Sequence, residues 1–144
     1  MSASFQSEIA EHSLESTLES VDQAESLVLA MAKKIGFGED DENSISMAIR
    51  ESMVNAVAHG NKYNNRKRVQ LTIEGHPDRL VVTIADEGDG FDEATVADPL
   101  AAENLLKQSG RGLLLMRAFM DECQHSKREP HGTVVRMVKY FKSE

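Results

Sequence analysis

Three short segments in fixed order constrain this chain more than any other feature. Glu51-Ser52-Met53-Val54-Asn55-Ala56-Val57-Ala58-His59-Gly60 reads as a helix with polar groups along one side. Asp86-Glu87-Gly88-Asp89-Gly90-Phe91 reads as a strand end opening into a glycine turn. Gly110-Arg111-Gly112-Leu113 reads as a glycine turn opening into a helix. A fold that used all three together would set a carboxylate and an amide opposite two glycine turns.

The elements between them follow from periodicity. Val21, Ala24, Leu27, Val28, Met31 and Ala32 recur at helical spacing, so a first helix runs to about Lys34, with Ser20 or Asp22 as its cap and Gly36 as its stop. A second helix opens at Asp40 or Asp41 and runs to about His59, closed by Gly60. Val69, Leu71 and Ile73 alternate with polar residues, and Leu80 to Ala85 is more continuously apolar, so the pair predicts a hairpin turning at Gly75-His76-Pro77-Asp78. Leu14 to Leu18 is a candidate first strand. Residues 1–12 read as a mobile tail or an extra edge segment ahead of a single domain spanning 13–144. Residues 87–109 are a long connection of the kind that serves as a lid, with a short helix at about 101–106. A helix over 112–120 and two strands, around Cys123–Lys127 and Thr133–Phe141, complete the chain. The order predicts an α/β fold, a two-layer sandwich of a mixed β-sheet with helices on one face.

Composition matters mainly for what it excludes. A chain of 144 residues can bury a core within one domain. No apolar run approaches the roughly 18 residues of a membrane span, and Met1 to Glu11 carries no signal-peptide pattern, so a cytoplasmic protein with no membrane partner is expected. The net charge of −8 argues against direct nucleic-acid binding. Lys62, Arg66, Lys67 and Arg68 form the main basic run, either a solvated loop or a contributor to phosphate or partner binding. Glu39 to Glu42 is expected to face solvent, and Cys123 to be a buried structural thiol.

The chemistry follows from residue type. At about 100° per residue, Glu51, Asn55 and His59 share one stripe of the second helix. Ile45, Ala48, Ile49, Met53 and Ala56 flank it on one side and Met47, Val54 and Ala58 on the other, the pattern of a helix largely covered by protein. Glu51 suits a general base, and Asn55 can offer its amide oxygen to Mg²⁺. His59 can support phosphates or cap the helix end. Ordinary pairs on a helix surface would look the same. Asp86 can accept a hydrogen bond from the exocyclic amine of adenine, and Gly88 and Gly90 allow a ligand close to the backbone; a plain acidic turn is the alternative. Gly110, Arg111 and Gly112 can present free N–H groups and a guanidinium to an anion, or form a simple turn. Each signal alone is weak, and their order is what points to ATP. A P-loop, a Gly-x-Gly-x-x-Gly run, zinc-ligand spacing and a Gly-x-Ser-x-Gly elbow are all absent from the sequence.

These segments resemble the N, G1 and G2 boxes of the ATP-binding domain shared by gyrase, Hsp90, histidine kinases and MutL, the GHKL or Bergerat fold. They are most similar to those of the bacterial anti-sigma-factor serine kinases. Glu51-x-x-x-Asn55-Ala56-x-x-His59-Gly60 matches the N box, Asp86 to Phe91 the G1 box, and Gly110-Arg111-Gly112-Leu113 the G2 box. Gly132-Thr133 resembles the terminal Gly-Thr. The resemblance implies that Glu51 activates an attacking serine hydroxyl, Asn55 holds Mg²⁺, Asp86 reads adenine and Thr133 supports the same site through water. Gly88, Gly90, Gly110 and Gly112 would shape pocket and lid, with His59, Arg111 and Leu113 in the ATP site. It also implies a STAS-type anti-anti-sigma substrate, a competing sigma factor and a homodimer. Two other activities fit the same boxes: a nucleotide-dependent binding module with little turnover, and a histidine-kinase-type catalytic domain acting in trans.

Overall fold

The computed structural model describes residues 6–88 and 116–142. Its elements run β1 (Glu8–Glu15), α1 (Leu18–Ile35), α2 (Glu39–Val54), a π-helical extension of α2 (Asn55–Gly60), β2 (Arg68–His76), β3 (Arg79–Ala85), β4 (Glu122–Lys127) and β5 (Thr133–Tyr140).

Alternation builds the inner face of the sheet. Leu71 pairs with Ile84 and Ile73 with Val82, and across the next ladder Ile84 meets Val135 and Val82 meets Met137. All six are buried on the helix side. β3 has a neighbour on each edge and is also covered on its second face, where Val81 is 1% exposed, as its continuous apolar run requires.

The strand order is β1-β2-β3-β5-β4, and every described pairing is antiparallel. The two-layer α/β sandwich stands, but the sheet is antiparallel rather than mixed. The chain returns from β3 to the far edge as β4, and the β4–β5 hairpin then slots β5 between them. β4 therefore runs in the direction of β3 without touching it.

Helix α1 lies against β2 and β3, and α2 packs beside α1. Thr17, in extended conformation, caps α1 by accepting the Ser20 amide on its hydroxyl at 3.3 Å. The expected caps, Ser20 and Asp22, already lie inside the helix. Leu18, the first residue of the helix, is exposed and falls at the end of the candidate first strand, so the apolar period that locates the helix is legible only from Val21 onward. Gly36, at φ +115°, ends the helix by donating to Ala32 O at 3.1 Å. Helix α2 starts one or two residues before expectation, at Glu39, with Glu39, Asp40, Asp41 and Glu42 in its first turn. Those four carboxylates favour the positive end of the helix dipole, and the first three are solvent-exposed as expected.

Strand β1 starts at Glu8, six positions before the candidate Leu14, and stops at Glu15. Residues 8–12, one of the two readings of the N-terminal segment, are an edge strand. Only Leu14 of this strand is buried, and an edge strand with glutamates at 8, 11 and 15 shows no alternation to read. The β2–β3 and β4–β5 hairpins fall where predicted. Residues 116–119 are helical and Met120 lies just past the helix, while 112–115 of the predicted helix and 89–109 of the long connection lie outside the described residues. Phe37 and Phe141 meet edge to face, with ring centroids 5.3 Å apart. Cys123 is free and buried, and burial raises its thiol pKa against the opposing charge of Arg117. Among the described residues no helix is long and apolar enough to cross a membrane.

Candidate functional site

Asp86 is where the strands end and the site begins. β3 leaves the sheet at Ala85, and the next residue keeps one more link to β5 through its N–H to Thr133 O at 3.0 Å. The residue is 7% exposed. Oδ1 accepts from Gly88 N at 2.9 Å and from Thr133 N at 3.1 Å. Burial raises the Asp86 pKa above its ordinary value. The Gly88 and Thr133 hydrogen bonds and the charges of Arg128 and Lys67 pull the other way.

Oδ2 lies against Gly60, the last residue of the π-helical extension. A Cβ at position 60 would overlap the Asp86 carboxylate, and one at position 88 would overlap Gly60 O. Glycine at both positions lets the two backbones close around the acid without a side chain filling the space. The hydrogen bonds from described residues fall on Oδ1, which leaves Oδ2 to accept from a ligand.

The helix that ends at Gly60 carries Glu51, Asn55 and His59. Glu51 and Asn55 are half-buried and His59 is exposed. Among the described residues none of the three makes a side-chain hydrogen bond, so all are available to a ligand. Asn55 sits at the change from α to π geometry, its N–H shared between Glu51 O and Ser52 O. The wider π turn carries His59 off the α-helical stripe on which it was expected. Helix π segments recur at functional sites.

Among the described residues the two flanks of the helix are covered unequally, with Val54 packed only partly against the core. Ile45, Ala48, Ile49, Met53 and Ala56 are buried, whereas Met47 is 52% exposed and Val54 and Ala58 are half-buried. The expectation of cover on both flanks is met fully on one and only in part on the other, where Met47 is exposed. Glu51 and Asn55 therefore border accessible space and need no internal partner. A single amide oxygen suits Mg²⁺, which keeps several waters and takes further ligands from phosphates. Among the described residues no cluster of three His, Cys, Asp or Glu is placed to hold a metal.

The structure thus brings Asp86, Gly88 and Thr133 into direct contact, and Gly60 joins them. Thr133 reaches Asp86 through its backbone. Gly90, Gly110, Arg111, Gly112 and Leu113 lie outside the described residues. The basic run divides: Arg68 straps β1 by donating to Ser13 O at 2.9 Å and Ser13 Oγ at 3.0 Å, while Lys62 and Arg66 are exposed.

Sequence reasoning missed Asn61. It is 1% exposed, and it accepts from Glu87 N at 2.8 Å while donating to Ser16 Oγ at 2.9 Å and Arg68 O at 3.1 Å. Also missed were Arg128 and His131 on the β4–β5 turn. They donate to Asp86 O at 3.1 Å and Glu87 O at 3.0 Å respectively. An asparagine just past a helix-closing glycine, beside a basic run, looks like the start of a solvated loop, and no spacing marks the other two.

Comparison with known proteins agrees with this geometry. Residues 14–139 match the histidine kinase-like ATPase domain. The serine-protein kinase RsbW of Bacillus velezensis is 32% identical over 120 residues, covering 79% of this chain and 74% of the relative. The serine-protein kinase RsbW of Staphylococcus aureus is 35% identical over 112 residues, covering 73% and 69%. Among solved structures, the RsbU and RsbW domains of Rv1364c from Mycobacterium tuberculosis superpose with a TM-score of 0.67 at 16% identity. That match covers 94% of this chain and 33% of the other, and it shows the shared fold. Asp86 buried against Gly60 at the end of the Glu51–Asn55 helix, together with these matches, places the chain in the histidine kinase-like ATPase family, among the anti-sigma-factor serine kinases of the RsbW type.

Proposed function

We propose that this protein is an ATP-dependent serine kinase that phosphorylates a STAS-type anti-anti-sigma partner and, as a homodimer, sequesters a sigma factor in a partner-switching pathway. Membership of an ATPase and kinase family implies use of ATP. The observation that carries the reading is the buried Asp86 carboxylate, with Oδ2 left for an amine donor beside Gly60. Glu51 and Asn55, available on the helix that leads to Gly60, extend the pocket toward phosphates.

In this reading Asp86 orients the adenine, and Asn55 holds Mg²⁺ with its side-chain oxygen. The metal, when bound with the nucleotide, neutralises charge on the phosphates. Glu51 accepts the proton of the partner serine hydroxyl. The serine oxygen then bonds to the γ-phosphorus as the bond to the β–γ bridging oxygen breaks, and ADP leaves. Positioning and charge neutralisation carry most of the acceleration, with proton transfer contributing about 10²- to 10⁴-fold.

The test is transfer of labelled γ-phosphate from ATP to a purified STAS-domain partner. Glu51→Ala should lower the rate by about 10²-fold or more and leave ATP affinity within a few-fold. Undiminished transfer by Glu51→Ala would remove its catalytic role. ATP binding without any transfer by wild type would favour a nucleotide-dependent binding module.

A further inference from the structure

The turn that carries Asp86 is held at every backbone polar group of its first two residues. Asp86 N donates to Thr133 O at 3.0 Å, and Asp86 O accepts from Arg128 Nη1 at 3.1 Å. Glu87 N donates to Asn61 Oδ1 at 2.8 Å, and Glu87 O accepts from His131 Nδ1 at 3.0 Å. The Glu87 carboxylate accepts from Arg68 N. A carbonyl can only accept, so His131 carries its proton on Nδ1 here.

Asn61 has no freedom in this arrangement. Glu87 N can only donate and Arg68 O can only accept, so the amide is fixed in one orientation. Its oxygen and nitrogen are both engaged, and it is buried. It joins the end of the π-helical extension to Ser16, to the start of β2 and to the Asp86 turn. Arg128 holds the opposite side from the β4–β5 turn, where Gly132, at φ +119°, brings its backbone so close that a Cβ would overlap Asp86 O.

We propose that Asn61 and Arg128 are positioning residues that fix the Asp86 carboxylate for recognition of the adenine amine, and so set the base selectivity of the pocket. The inference rests on the ATP-site reading of Asp86. One carboxylate oxygen separates an amine from a carbonyl at the same ring position only if the carboxylate cannot shift. A turn free to move could draw the acid aside and admit the other base. A buried polar group that loses its partner discriminates strongly.

The test compares the dissociation constants of ATP and inosine triphosphate, with Mg²⁺, for wild type, Asn61→Ala, Arg128→Ala and Arg128→Lys, with thermal unfolding of each. Inosine triphosphate carries a carbonyl where ATP carries the amine. Wild type should prefer ATP. Asn61→Ala and Arg128→Ala should each reduce that preference by about 10-fold, chiefly by weakening ATP, and Arg128→Lys should restore part of it. Equal weakening of both nucleotides, with the ratio preserved, would overturn the inference by reducing these residues to general support. If Asn61→Ala fails to fold, the half-exposed Arg128 decides by the same ratio. A wild type that binds both nucleotides equally would overturn the Asp86 reading itself, a result distinct from preserved selectivity in the variants.

Discussion

At the scale of single residues the site depends on one acid kept in an unfavourable place. Burial raises the pKa of Asp86, so its protonated form is favoured in the folded state relative to the unfolded chain. Its contribution to stability is therefore fully present below the unfolded carboxylate pKa and is lost as pH rises through the folded one. Asp86→Asn keeps an oxygen to accept from Gly88 and Thr133 but does not ionise. The wild-type minus Asp86→Asn difference in unfolding free energy should thus fall as pH rises across that window, then level off. Urea unfolding at a series of pH values measures it, and a difference that grows with pH would mean the ionised form is the better-held one. Ligand binding should run oppositely, since only the ionised acid accepts freely from adenine. Such a cost without a stability gain is what a functional site shows. Asp86 was legible in the sequence because an acid between an apolar strand and a glycine turn is conspicuous. Asn61 was not, because its significance lies in partners at positions 16, 68 and 87.

At the scale of elements, the caps show where periodicity stops being informative. Thr17 rather than Ser20 or Asp22 starts α1. Thr17→Ala should cost about 1 kcal/mol. Asp22→Ala should cost less, because it removes only an exposed pair with Arg50 at 2.7 Å, of a kind worth about 0–1 kcal/mol. Thermal denaturation of the two variants separates them, and the reverse order would return the cap to the later position. Helix α2 raises a related point. Its apolar face follows the α-helical period through Met53, and the lattice then widens into a π turn at the segment that reaches Asp86. Hydrophobic spacing located the helix but carried no sign of that widening.

At the scale of the whole molecule, one buried layer between α1, α2 and the sheet carries stability, while the site occupies its rim. Ile49 and Arg50 are adjacent yet belong to different regimes. Ile49 is fully buried, whereas Arg50 is exposed and pairs with Asp22 and Glu25 across α1. Ile49→Ala should cost about 2–5 kcal/mol, and Arg50→Ala no more than about 1 kcal/mol. Chemical denaturation would check both, and near-equal losses would contradict the assignment of the core. The alternation of Val69, Leu71 and Ile73 and the helical recurrence of Val21 to Ala32 were enough to predict the sandwich, because burial imposes those periods along the chain itself. Sequence alone determined which residues form the buried face of each helix and which acid ends a strand, since those are local relations, whereas the π turn moved His59 off the stripe it was expected to share with Glu51 and Asn55. Only the tertiary structure decided that every pairing among the described strands is antiparallel, that residues 8–12 belong to the edge strand, and that Asn61, Arg128 and His131 converge on one turn. Those outcomes depend on contacts between distant segments, whose partners leave no period in the chain.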